Sequence, residues 1–92
     1  MSEVNINLEG VLTIARVESL HAELEEIERK SQPVSISAQS VTRVDTAILQ
    51  LLVAFFRHLA ARDISISWNG VSDEFVASAR LLGLATDLQL NA

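Results

Sequence analysis

The stretch from Ser40 to Arg62, SVTRVDTAILQLLVAFFRHLAAR, constrains the fold most, because a short polar segment runs straight into the most apolar run of the chain. It reads as a loop followed by a helix. On a period of 3.6 residues, Ile48, Leu51, Leu52, Phe55 and Leu59 fall on one side, with Leu49 and Phe56 at its margin. That side is expected to be core. The opposite side carries Thr46, Gln50, Val53, Ala54, Arg57 and Ala61, of which only Gln50 and Arg57 are strongly polar. An outward face so poor in polar groups suggests a docking surface. The apolar run is broken by Gln50 and ended by Arg57, which leaves it too short to span a bilayer.

Asp45 and Thr46 stand where the loop meets this helix. Both are residue types that start helices, since a side-chain oxygen can accept from a backbone N–H that has no partner in the first turn. Two readings stay open. One is a plain N-cap. The other is that Thr46 offers a hydroxyl at the positive end of a helix, where an added phosphate would be well placed.

Ninety-two residues, 49% of them hydrophobic, make one domain with a single core, residues 1–92. The absence of cysteine removes disulfides, thiol catalysis and Cys-ligated metal, and fits a cytoplasmic protein. The N-terminus, MSEVNINLEG, lacks the basic start and continuous apolar core of a signal peptide. Seven basic against twelve acidic residues give a net charge of −5 with no basic stripe, so nucleic acid is not an expected partner. No helix pairs a basic face with an apolar one, so direct membrane insertion is not expected either. The expected partner is a protein, and a homodimer stays open.

Taken in order, Val4, Ile6 and Leu8 alternate with Asn5 and Asn7 as a half-buried strand. Glu9-Gly10 reads as a turn and Val11 to Ala15 as a second strand with Leu12 and Ile14 inward, forming a hairpin. Val17, Leu20, Leu24 and Ile27 then mark a helix whose charged residues face solvent. Pro33 closes it. Val34, Ile36 and Ala38 form a third strand, and Ile64, Ile66 and Trp68 a fourth, stopped by Asn69-Gly70. Trp68 is expected at the core or its rim. Ser72, followed by Asp73 and Glu74, starts a last helix that Gly83 ends, and Leu88 to Leu90 is a candidate edge strand. Each strand has one apolar and one Asn/Ser-rich side. The helices should therefore cover mainly one face of the sheet.

This order, ββαβαβα with a candidate final strand, resembles the STAS domain. The residues that carry the resemblance are Val41 to Thr46 (VTRVDT), the helix opening Ala47-Ile48-Leu49, and Asn69-Gly70-Val71-Ser72 before a helix that ends near Leu81-Leu82-Gly83-Leu84. The resemblance implies an α/β fold with a mixed sheet of four to five strands and helices mainly on one face. It also implies an anti-sigma-factor antagonist, whose hydroxyl residue after the aspartate is phosphorylated by a partner kinase that it then no longer binds. By that match Thr46 is the phosphoacceptor and Asp45 its neighbour, with Gln50, Val53, Ala54 and Arg57 completing the partner-binding surface. The partner would be a kinase-like anti-sigma factor or signalling ATPase. Ala47-Ile48 depart from the small residue and glycine common after the hydroxyl residue. Threonine at this place is also similar to the STAS subunit of the Mla phospholipid transporter, which implies a transporter ATPase as the alternative partner.

Enzyme chemistry is not expected. His21 and His58 lie on different helices, there is no phosphate-binding Gly-rich loop, and no carboxylate pair has metal-ligand spacing. Neither cofactor nor metal is called for.

Overall fold

Val4–Leu12 forms β1, and Val34–Val44 and Ile66–Val71 form β2 and β3 in the computed structural model, which describes residues 3–90. The three strands make one parallel sheet in the order β1-β2-β3. Three helices join or follow them: α1, Val17–Lys30; α2, Thr46–Ala61; and α3, Asp73–Leu81. A short 3-10 turn, Ile14–Arg16, precedes α1. The α/β architecture is the expected one, with fewer strands and no antiparallel pair among the described residues.

The reason is local to β1 and β2. Glu9-Gly10 does not turn the chain back. Gly10 adopts φ +72, a conformation that costs glycine little, and the strand continues. The register moves from Asn7↔Ser37 to Glu9↔Ser40, and from Gly10↔Val41 to Val11↔Arg43, so β2 carries one extra residue at each step. These two bulges let Ala38, Val41 and Val44 all point into the core although they are three apart. The segment expected as a polar loop, Ser40 to Val44, is therefore strand. The second strand of the expected hairpin is instead the end of β1 and the 3-10 turn, and Ile14 is exposed rather than core.

One face of the sheet is apolar and covered. Ile6, Leu8, Leu12, Val34, Ile36 and Ala38 meet Leu20, Leu24 and Ile27 of α1, seven residues of α2, and Phe75 and Ala79 of α3. The other face presents Asn5, Asn7, Ser67 and Asn69 to solvent. The strand that Ile64 was expected to begin starts at Ile66 and runs through Asn69-Gly70 to Val71.

Side-chain and backbone caps set the helix ends. Arg62 reaches across to the end of α1, donating to the Glu28 carbonyl at 2.8 Å and to Ser31 Oγ at 2.6 Å. Ser72 Oγ accepts from Phe75 N–H at 3.1 Å and caps α3. Gly83, at φ +72, closes that helix with Leu84 N–H to Ala79 C=O and Gly83 N–H to Arg80 C=O, a Schellman pair. Beyond it Leu88 and Leu90 are buried, but the segment is a series of turns and not an edge strand.

Candidate docking site at the start of the second helix

The buried side of α2 is wider than its periodicity suggests. Ile48, Leu49, Leu52, Val53, Phe55, Phe56 and Leu59 are all buried, more than in any other element. At about 1.5–3 kcal/mol for each large side chain fully buried, they fix the rotation of the helix. Val53, expected outward, is only 7% exposed and is core. Leu51, expected in the core, is half-buried. The outward stripe that remains is Thr46, Gln50, Ala54, Arg57 and Ala61, all exposed, so Val53 is not part of a docking surface.

Asp45 has the extended backbone of an N-cap, and its carbonyl accepts from Ile48 N–H at 3.0 Å and Leu49 N–H at 3.3 Å. Its carboxylate makes no cap bond to α2. Instead Oδ2 accepts from Ile14 N–H at 3.1 Å, and Oδ1 lies 4.0 Å from Arg43 Nε. The capping expectation thus holds for the position of Asp45 and not for its side chain. Thr46 is the first residue of the helix, and its exposed hydroxyl makes no hydrogen bond among the described residues. At the far end of the stripe, Arg57 Nη2 lies 3.6 Å from Asp87 Oδ2, so this guanidinium leans toward the C-terminal turn.

Ile14, expected to point inward, is instead an exposed apolar residue near the start of α2. It is 69% exposed and sits on the turn that Asp45 holds. The bond that joins this turn to Asp45 spans thirty-one residues.

The two histidines border the stripe at Ala54. A groove of about 120 Å³ between α1 and α2 has Leu24, Leu51 and Phe55 in its lining, and His58 Nδ1 lies there 3.7 Å from Glu28 Oε1. The His58 side chain is 66% exposed. His21 Nε2 is 3.9 Å from Glu25 Oε2 on the same helix. Among the described residues no group of three His, Asp or Glu is placed to hold a metal ion. An open cleft of about 590 Å³ beside β3 and α3 has Trp68, Val76 and Arg80 in its lining, and none of the expected site residues. No described helix is long and apolar enough to cross a membrane.

The arrangement offers an exposed hydroxyl, a stripe of Gln50, Ala54 and Arg57, and a turn with an exposed isoleucine. A family model described as "Mlab, STAS domain" matches residues 1–90. No curated protein matches the chain.

Proposed function

Because the chain belongs to the STAS-domain family, we propose that it is a non-catalytic cytoplasmic module that docks a partner protein through the first turns of α2, and that phosphorylation of Thr46 ends the docking. The observation that carries this reading is the placement of Thr46: exposed, at the first position of α2, at the head of the exposed stripe Gln50, Ala54 and Arg57. The partner is a kinase-like anti-sigma factor or a signalling ATPase. A phosphate adds about −1.5 to −2 charges beside Asp45. Repulsion from that carboxylate, and the cost of removing a dianion from water at an interface, both oppose rebinding. Arg57 offsets little of this, since it lies about three helical turns from Thr46.

A second reading has one specific observation in its favour, the family model's own description as an Mlab domain. In it the same surface grips the ATPase of an Mla-type phospholipid transporter constitutively, with Thr46 as an unmodified contact. Affinity purification from the native host, read by mass spectrometry for partners and for phosphate on Thr46, separates the two. A kinase-like ATPase together with phospho-Thr46 supports the switch. A transporter ATPase with unmodified Thr46 supports the constitutive subunit, and recovery of no ATPase at all counts against both.

A further inference from the structure

We infer that Asp45 couples Thr46 to the exposed turn after β1, and that Ile14 on this turn is a second, apolar contact of the docking surface; this rests on the reading of α2 as the docking helix. An aspartate at an N-cap ordinarily turns its carboxylate to the N–H groups of the second or third helical residue. Asp45 does not, and spends its acceptor on Ile14 N–H at 3.1 Å. The consequence falls on the turn. Its other bonds are internal or run to α1: Arg16 N–H to Thr13 C=O at 2.9 Å, Ala15 N–H to Thr13 Oγ1 at 3.3 Å, Val17 N–H to Ile14 C=O, and Ser19 Oγ to Arg16 C=O at 3.2 Å. None of its three residues is buried. The Asp45 backbone N–H also donates to Leu12 C=O at 2.9 Å and holds the end of β1, so the carboxylate bond to Ile14 N–H is what extends this attachment from the strand end into the turn.

That tether holds the backbone of an isoleucine, among the residue types most often fully buried and here 69% exposed, against Asp45, the residue that precedes Thr46. Arg43 beside it is 75% exposed and only loosely engaged, 4.0 Å from Asp45 Oδ1. The partner chemistry that fits is an apolar side chain packed on Ile14 with a carboxylate next to it for Arg43. Charge at Thr46 works on the same tether. A phosphate there repels the Asp45 carboxylate and competes with it for Arg43, while the Thr46 and Ala47 N–H groups, which have no backbone partner among the described residues, attract the phosphate. Asp45 then releases Ile14 N–H, and the apolar contact loses its place.

The full chain tests the coupling by amide hydrogen exchange at Ile14. Asp45→Ala should speed exchange about tenfold or more, the change expected on losing a hydrogen bond to a charged group. Asp45→Asn should do so less, because its amide oxygen still accepts. Thr46→Glu should act in the same direction as Asp45→Ala, and Thr46→Val should leave Ile14 as in the wild type. Unchanged exchange in Asp45→Ala removes the tether, and unchanged exchange in Thr46→Glu removes the coupling. The contact itself is tested with the ATPase recovered with the chain: Ile14→Ser should weaken binding about tenfold, as loss of an apolar interface contact does, with an unchanged unfolding midpoint. Wild-type affinity for Ile14→Ser beside lost binding for Ala54→Asp overturns this inference and leaves the α2 reading standing. If both variants bind like the wild type, the α2 reading itself is wrong.

Discussion

Trp68 Nε1 donates a hydrogen bond of 2.7 Å to the Leu88 carbonyl and so ties the last turns of the described chain to β3. The indole also stacks on Phe56 of α2 at 5.7 Å and lies tilted against Phe75 of α3 at 5.3 Å. One side chain therefore joins four segments. Trp68→Phe keeps most of the aromatic contact and leaves the carbonyl of the buried Leu88 without its partner, at a cost of about 1–3 kcal/mol. Urea unfolding followed by circular dichroism measures it. An unchanged midpoint would mean that the bond contributes nothing to holding the C-terminal turns.

Val53 and Ala54 are neighbours in sequence with opposite fates, one core and one exposed. Val53→Asp places a carboxylate among apolar side chains and should cost about 3 kcal/mol or more, whereas Ala54→Asp should stay within about 0.5 kcal/mol of wild type. The pair of melting temperatures reads the rotation of α2 directly.

Gly10 and Gly70 both have positive φ, yet they should differ on replacement. At Gly10, φ +72, an added Cβ meets open space, so Gly10→Ala bears only the backbone strain of about 1–2 kcal/mol. At Gly70, φ +97, an added Cβ would run into the side chain of Gln39, and Gly70→Ala should cost clearly more. Combining it with Gln39→Ala should recover the steric part alone. Chemical denaturation of the three variants checks the order.

Ser72→Ala removes the hydroxyl that accepts from Phe75 N–H at the start of α3 and should destabilise by about 1 kcal/mol. Ser72→Asp should restore most of that loss, because aspartate caps equally well. A variant series with no such recovery would point to some other role for the hydroxyl.

Thr46→Glu should weaken docking to the recovered ATPase while the fold stays intact by circular dichroism, since the side chain is exposed. Equal affinities, measured by calorimetry, would leave the phosphorylation switch without support.

The alternating segments around Ile6, Ile36 and Trp68 were legible as strands because one face of the sheet is covered and the other meets water. Beyond Ala38 the pattern fails. Two bulges change the spacing of the inward residues from two to three, and VTRV then looks like a loop although Val41 and Val44 are core. In α2 the difficulty is the opposite. The helix packs on the sheet and beside α1, so its buried arc takes in Leu49, Val53 and Phe56 as well as the expected row. With few polar residues to mark the solvent side, periodicity could not fix the angle. The exposure of Thr46, Gln50, Ala54 and Arg57 was legible all the same. That of Ile14 was not, because a 3-10 turn stands where the second strand of a hairpin was expected.

The replacement of the expected hairpin by one continuous β1 bears on how the chain finds its structure. Both strand pairings are parallel and enclose a helix, joining residues 30 and 32 positions apart, Val4 with Val34 and Val34 with Ile66. The described sheet thus has no short closed loop from which to grow. Each pairing must meet the entropy of a long closure before its contacts reward it, which slows folding relative to a helical bundle of this size. The transition state should then need α1 or α2 already docked on β2, and substitutions at Leu24 or Leu52 should slow refolding more than they speed unfolding.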